Sequence, residues 1–235
     1  YTKGQSDMSE NIPKSRLMMG RPAPHVIAHS TKGVIDLAAY EGSWVLLFCH
    51  PADFTPVCTT EFISLAKHQH RFDALGVELV GLSVDSVYSH LSWIDWIEDN
   101  FGQKVSFPVI EDSSLQIAKV YGMIDETSVN TLTVRSCVFI DPTQTVQAVI
   151  HYPMQVGRSV DEILRVQEAL IATFDAEAAT PANWLPGDKT IDTPLDRMLE
   201  RPAGWLKRNC RNSIFNAGTN APMKFKSGDF QRFSH

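Results

Sequence analysis

Nothing in the charge of this chain suits a polyanion. Its 21 lysines and arginines are outnumbered by 27 aspartates and glutamates, for a formal net charge of -6, so the basic surface that nucleic acid requires is missing. Apolar runs of membrane-spanning length are missing too, as is the charged-then-apolar start of a signal peptide. The reading is a cytoplasmic protein with neither a membrane nor a nucleic acid as partner. Cysteines are few: four, at positions 49, 58, 137 and 210, with no Cys-x-x-Cys pair among them. That excludes a zinc site of cysteine spacing, a dithiol oxidoreductase and a secreted disulfide scaffold. The histidine pairs His25/His29 and His68/His70 are the visible alternatives as metal ligands. The first follows Pro22 and Pro24 in extended chain and the second falls on a polar helix face, so no metal is expected.

What the chain does have is one dense stretch, from Phe48 through Cys49, His50, Pro51, Ala52, Asp53, Phe54, Thr55, Pro56, Val57 and Cys58 to Phe62. Trp44 to Phe48 is a continuous apolar run of strand length, and Glu61 to Phe72 carries apolar residues at helical spacing. A buried strand therefore feeds a turn and then a helix. Pro56 suits the first helical position, where its fixed φ is right and its missing N–H is no loss. Cys58 then falls just inside a helix start, where a thiolate is stabilised. A free cysteine titrates near ~8.5, and keeping it mostly ionised at neutral pH needs roughly 2.7 kcal/mol. A helix terminus supplies about 0.3–1 kcal/mol, up to ~2 when partly buried. A cation is needed as well. Thr55, one turn before Cys58, offers a hydroxyl to the attacked oxygen.

The rest of the chain alternates strands and helices. Val26 to Ala28 and Val34 to Leu37 read as a hairpin about the turn Thr31-Lys32-Gly33. Val77 to Val84 is a second strand, and Leu91, Trp93, Ile94, Trp96 and Ile97 make a helical core stripe. Phe107 to Asp112 is a short strand, Ser114 to Tyr121 a helix, Ser136 to Asp141 and Gln147 to Tyr152 two strands, and Asp161 to Ala172 a helix capped by Ser159 or Asp161. With 43% hydrophobic residues in 235, this predicts an α/β fold around a mixed sheet flanked by helices. Met8 is a candidate start, which would make residues 1–7 an addition; from Thr180 onward prolines thicken and periodicity fades, the texture of an extension.

The pattern Pro-x-x-x-Thr-x-x-Cys, here Pro51, Thr55 and Cys58 within His-Pro-Ala-Asp-Phe-Thr-Pro-Val-Cys-Thr-Thr-Glu, resembles the active-site motif of the peroxiredoxins. His50 makes it similar to the one-cysteine, peroxiredoxin 6-like subfamily, and the likeness runs from about Gly20 to Pro194. The resemblance implies a thioredoxin-like fold over residues 20–175 and a C-terminal extension or dimerisation region over 176–235. It implies a thiol-dependent peroxidase that reduces hydrogen peroxide and organic hydroperoxides through Cys58 and its sulfenic acid. Thr55 and Arg135 would hold the two oxygens, Pro51 would cover the sulfur, and no cofactor is required. Arg135 precedes an apolar strand, where an arginine is costly to bury unless paired. Arg158 matches a second family arginine, with Glu61 as its bridging carboxylate, and His50 matches a pocket histidine that hydrogen-bonds a peroxide or the carboxylate network. The implied partners are a peroxide, an external thiol reductant of thioredoxin or glutathione type, and a second copy of the chain in a homodimer or larger assembly.

Two departures matter. Where the two-cysteine branch has a resolving cysteine before Pro-Ala-x-Trp, this chain has Thr180 before Pro181-Ala182-Asn183-Trp184, which argues for one-cysteine cycling. Cys210, among Lys207, Arg208 and Arg211, is the candidate resolving thiol, since basic neighbours favour its thiolate. The Gly-x-Ser-x-Gly of the subfamily's phospholipase reading is reduced to Glu41-Gly42-Ser43-Trp44-Val45, so lipid hydrolysis is not expected. The competing function is a non-catalytic peroxide sensor or holdase using the same cysteine.

Overall fold

The computed structural model describes residues 19–124, 133–176 and 178–192, and the chain divides into two compact units at the junction of Leu164 and Arg165. The first unit opens with the hairpin β1 (Ile27–Ser30) and β2 (Gly33–Asp36), followed by a short 3₁₀ turn over Leu37–Tyr40. Then come β3 (Trp44–Cys49), α1 (Pro56–Ala74), β4 (Val77–Ser83), α2 (Val87–Phe101), β5 (Val109–Glu111) and α3 (Gln116–Val120). After residues 125–132 the chain resumes as β6 (Arg135–Ile140), β7 (Val146–Tyr152) and the start of α4 (Val160–Phe174).

Seven strands form one mixed sheet in the order β2-β1-β5-β4-β3-β6-β7. β3 runs parallel to β4 and antiparallel to β6, with Phe48 opposite Gly81 on one side and Cys137 on the other. The continuous apolar run that marks β3 in the sequence has its reason here: all six of its residues are buried, as a strand covered on both faces must be. Burying each large aliphatic side chain contributes about 1.5–3 kcal/mol. This strand is the keel of the sheet, and its last residue, Cys49, delivers the chain to the loop before α1.

Helix ends follow their caps. Thr55 has extended backbone, Pro56 takes the first helical position of α1, and Ser86 caps α2 by accepting from the N–H of Ser89. The stripe expected on α2 is only partly core: Trp93, Ile94 and Ile97 are buried, while Leu91 and Trp96 are 41% and 40% exposed. The remaining buried position of α2 is His90. A polar residue on the inward face does not register in an apolar pattern, and its hydrogen bonds are what make the position affordable.

In the second unit, Ala178–Ala179 (β8) and Ile191–Asp192 (β9) pair antiparallel. Between them Trp184 Nε1 donates to the Asp188 carbonyl at 3.0 Å and the Leu185 N–H to the Asp188 carboxylate at 2.9 Å.

Phe48 stacks edge-on against Phe62 and Phe107, and Gly81 lies beneath it so closely that an added Cβ would stand 3.3 Å from Phe48 Cζ and 3.4 Å from a Val109 methyl. Gly81→Val is therefore expected to destabilise the fold by about 1–3 kcal/mol through overpacking. Urea unfolding measures it, and an unchanged midpoint would show that this contact is not close.

Candidate active site

The loop from His50 to Thr55 turns the chain from β3 into α1, and Cys58 is the third residue of that helix. The N–H groups of Val57 and Cys58 belong to the first turn, with no helical carbonyl behind them to accept. Cys58 is wholly buried. Its Sγ accepts from Arg135 Nη1 at 3.2 Å. Arg135 opens β6, and its Nε donates to the Met154 carbonyl at 2.8 Å, which aims the guanidinium across the sheet at the helix start.

The same Nη1 donates to Glu61 Oε2 at 2.7 Å. Glu61 lies one turn further along α1 than Cys58, on a neighbouring face, and is buried. Arg158 completes its shell. The Arg158 backbone N–H and Nε reach Oε1 at 2.8 and 2.9 Å, and its Nη2 reaches Oε2 at 2.8 Å. Arg158 Nη1 donates to the carbonyls of Cys49 and Ser136 at 3.0 Å each, and the guanidinium carbon stands 5.3 Å from the Phe48 ring centre. Burial acts to raise the Glu61 carboxyl, but the charge and hydrogen bonds of Arg158, with the charge of Arg135, hold it below the ordinary carboxylate range. Burial works against the charge on Arg158, and the groups beside it, Cys137 and Glu61, hold its proton on more tightly than usual. Because burial pushes the Cys137 thiol up to about 11, that sulfur is neutral at pH 7 and Glu61 is the anion that matters. Burial likewise raises Cys49, whose Sγ donates to the Val134 carbonyl at 2.7 Å. Both strand cysteines are packed thiols, as the apolar context of each predicts.

Thr55 is half-buried and its Oγ1 donates to the Ala52 carbonyl at 2.9 Å. The hydroxyl hydrogen is thus committed to backbone, leaving oxygen lone pairs to accept. Pro51 is buried in the same loop. The structure brings together Cys58, Arg135, Glu61 and Arg158, and sets Thr55 one turn ahead of them. His50 stands apart from the Glu61 network: its Nε2 is 2.8 Å from Asp53 Oδ1. Asp53 also faces His90 Nδ1 at 2.8 Å. Asp53 and His90 are the residues that sequence reasoning missed. The available signals were an aspartate inside the motif itself and a histidine three positions before the buried Trp93. Cys210 lies outside the described residues.

Among the described residues, His50, Asp53 and His90 are the group whose donor atoms lie close enough to hold one metal ion. Their 2.8 Å contacts are N–H···O hydrogen bonds, and a metal at ~2.0–2.2 Å from each would have to break both of them. Of the histidines weighed from sequence, His25 instead meets the Asp36 carboxylate and His68 the Ser64 carbonyl. An open groove by β1 and β5, lined by His29, Glu111 and Asp112, holds none of the residues around Cys58.

Residues 19–149 match the model of the AhpC/TSA family. The chain is 48% identical over 194 residues to peroxiredoxin 2 of Picrophilus torridus, covering 80% of this chain and 96% of the relative. It is 48% identical over 186 residues to peroxiredoxin 2 of Thermoplasma acidophilum, covering 78% and 92%. Among solved structures, a cysteine-to-serine mutant of peroxiredoxin 6 of Arenicola marina superposes with a TM-score of 0.71 at 34% identity, covering 82% of this chain and 88% of that one. The yeast mitochondrial 1-Cys peroxiredoxin gives 0.70 at 37% identity, covering 82% and 92%. A seven-stranded mixed sheet of thioredoxin-like type, a motif cysteine at a helix start under an arginine, and relatives of near-half identity across almost their whole length lead to one conclusion: the chain belongs to the peroxiredoxins of the AhpC/TSA family and is a thiol-dependent peroxidase.

Proposed function

We propose that Cys58 is the peroxide-reducing cysteine and that it cycles through sulfenic acid with an external thiol as reductant. The observation that carries this reading is a charge count at the helix start. Two buried guanidiniums, Arg135 and Arg158, share one carboxylate, Glu61, so the cluster holds one positive charge in excess, and the atom that faces it is Cys58 Sγ at 3.2 Å. A thiolate there completes the balance that burial demands.

The chemistry follows from the donors and acceptors. A hydroperoxide brings one O–H, which Thr55 Oγ1 can accept because its own hydrogen is given to Ala52. Arg135 supplies N–H donors to the oxygens as negative charge moves onto them. The Cys58 sulfur attacks the hydroxyl oxygen; an S–O bond forms, the O–O bond breaks, and its electron pair leaves on the distal oxygen, which takes a proton to become water or an alcohol. Cys58 is oxidised to sulfenic acid and the peroxide is reduced. Two equivalents of a thiol then return Cys58 to its starting state with loss of water. Pro51 and Thr55 in the loop limit access to small substrates, and Arg158 acts through Glu61 to hold Arg135 in place.

The one-cysteine reading rests on Thr180 in the place of a resolving cysteine. The yeast 1-Cys relative is described with thiol resolution through glutathione and thioredoxin systems, and either type of thiol is the proposed reductant here. A two-cysteine peroxiredoxin of Plasmodium vivax also superposes, with a TM-score of 0.68, so the assignment is made on Thr180 and not on the fold. Cytoplasmic placement, and a role for residues 176–235 in joining two copies, belong to the same proposal. No observation favours a sensor or holdase that does not turn over.

Cys58→Ser is expected to abolish peroxide consumption, Cys49→Ser and Cys137→Ser to retain most of it, and Arg135→Ala to slow it by about 10²-fold or more; normal turnover by Cys58→Ser would remove the site. Peptide mapping after one equivalent of peroxide is expected to find Cys58 as sulfenic acid, and a rapid Cys58–Cys210 disulfide lost in Cys210→Ser would move the chain to the two-cysteine class. Sedimentation at micromolar concentration is expected to show a dimer or larger assembly, and a monomer would end the proposal for residues 176–235.

A further inference from the structure

The chemistry at Cys58 leaves unused a second buried polar group. Asp53 Oδ1 lies 2.8 Å from His50 Nε2, and Asp53 Oδ2 lies 2.8 Å from His90 Nδ1, which is also 3.1 Å from Oδ1. On its far side His90 Nε2 faces the Ile110 carbonyl of β5 at 3.2 Å. The side chains of His50 and His90 are 0% exposed and that of Asp53 is 2%. The loop is pinned again by the Asp53 N–H, which donates to Asp85 Oδ2 at 2.9 Å. One polar atom in this group is left over: His50 Nδ1 is buried and has no hydrogen-bond partner.

The carboxylate decides what that atom is. Burial acts to raise Asp53, but its hydrogen bonds and charge interactions with His50 and His90 hold it well below the usual carboxylate range. An ionised carboxylate only accepts, so the hydrogen between Asp53 and His50 sits on Nε2. Burial lowers His50, Asp53 acts to raise it, and His90 and Arg158 lower it further; the net shift is downward. A ring with one proton, already placed on Nε2, presents Nδ1 as a bare lone pair. His90 matters because it holds the carboxylate: its Nδ1 reaches both Asp53 oxygens. Without it Asp53 Oδ2 loses its donor in a buried site, which favours protonation or rotation of the carboxyl.

One packed residue separates His50 from the helix face that carries Cys58. The His50 ring packs on Phe62 with centroids 4.8 Å apart, and Phe62 is one turn beyond Cys58 on the same face of α1. We propose that Asp53 and His90 form a positioning pair that holds His50 in its Nε2–H tautomer, so that Nδ1 offers a second acceptor for the O–H of a hydroperoxide bound at Cys58. This rests on Cys58 being the peroxide-reducing cysteine. His90 touches neither substrate nor sulfur; it acts through Asp53, as the carboxylate of a catalytic triad acts through its histidine.

The test uses the full-length, reduced protein with ¹⁵N-labelled histidine. Ring ¹⁵N shifts read the His50 tautomer with no peroxide present, and stopped-flow mixing reads the rate of Cys58 oxidation. Wild type is expected to show His50 with a protonated Nε2 and an unprotonated Nδ1. His90→Leu is expected to mix the tautomers and slow oxidation by about tenfold, the worth of one good hydrogen bond. His90→Asn, whose amide donates from near the position of Nδ1, should keep both the tautomer and most of the rate. If His90→Leu does not fold, Asp53→Asn replaces it, and its amide is expected to turn His50 to the Nδ1–H form with the same loss of rate. A wild-type spectrum with Nδ1 protonated overturns the proposal, as does His90→Leu with tautomer and rate unchanged, or His90→Asn as slow as His90→Leu. The tautomer is read without turnover, so failure of the Cys58 assignment, seen in Cys58→Ser, is distinguishable from failure of the pair.

Discussion

A single carboxylate governs the site. Glu61 is buried in the first turns of α1 and accepts four hydrogen bonds, three from Arg158 and one from Arg135. Neither arginine could stand in so apolar a place alone, and losing one member of such a set costs about 3–5 kcal/mol because the others are left uncompensated. Glu61 therefore does two things at once. It stitches α1 to β6 and to the segment before α4, and it fixes the guanidinium that meets Cys58 Sγ. The position of the guanidinium at the sulfur is a property of this one interaction.

The loop between β3 and α1 is held on its other side by Asp53. Its contacts reach His90 on α2, and through that ring Ile110 on β5. The two anionic centres divide the work: Glu61 fixes the cations at the sulfur, and Asp53 fixes the loop that carries Pro51 and Thr55. Aromatic packing fills the space between them, with Phe62 4.5 Å from Trp93 and 4.8 Å from His50, centre to centre.

How much of this was legible depended on separation along the chain. The β3 run, the Pro56 start of α1 and the turn at Asp141 are local, and the sequence pattern matched them to within a residue or two. Thr55 and Cys58 share one helical turn and could be paired by spacing. Arg135 could be named only through its costly setting and a family likeness. Arg158 could be named only through the family likeness; its burial follows from a contact with Glu61 across 97 residues of chain, and from Gly157, where a Cβ would stand 3.3 Å from a Val57 methyl. No local pattern encodes such a meeting. His90 was hidden for another reason: it is buried for its hydrogen bonds, and a periodicity of apolar residues cannot see it. Leu91 and Trp96 fit that periodicity and yet are partly exposed.

The surplus charge beside Cys58 has a consequence for the oxidised protein. Sulfenic acid is neutral, so on the proposed chemistry each turnover removes the anion that balances Arg135 and Arg158 against Glu61. The reduced fold and the oxidised fold then differ in electrostatic free energy although no residue has changed. On that same proposed chemistry the arginines lose an electrostatic partner in the first turn of α1 just when a thiol from outside has to reach a sulfur that is wholly enclosed in this fold.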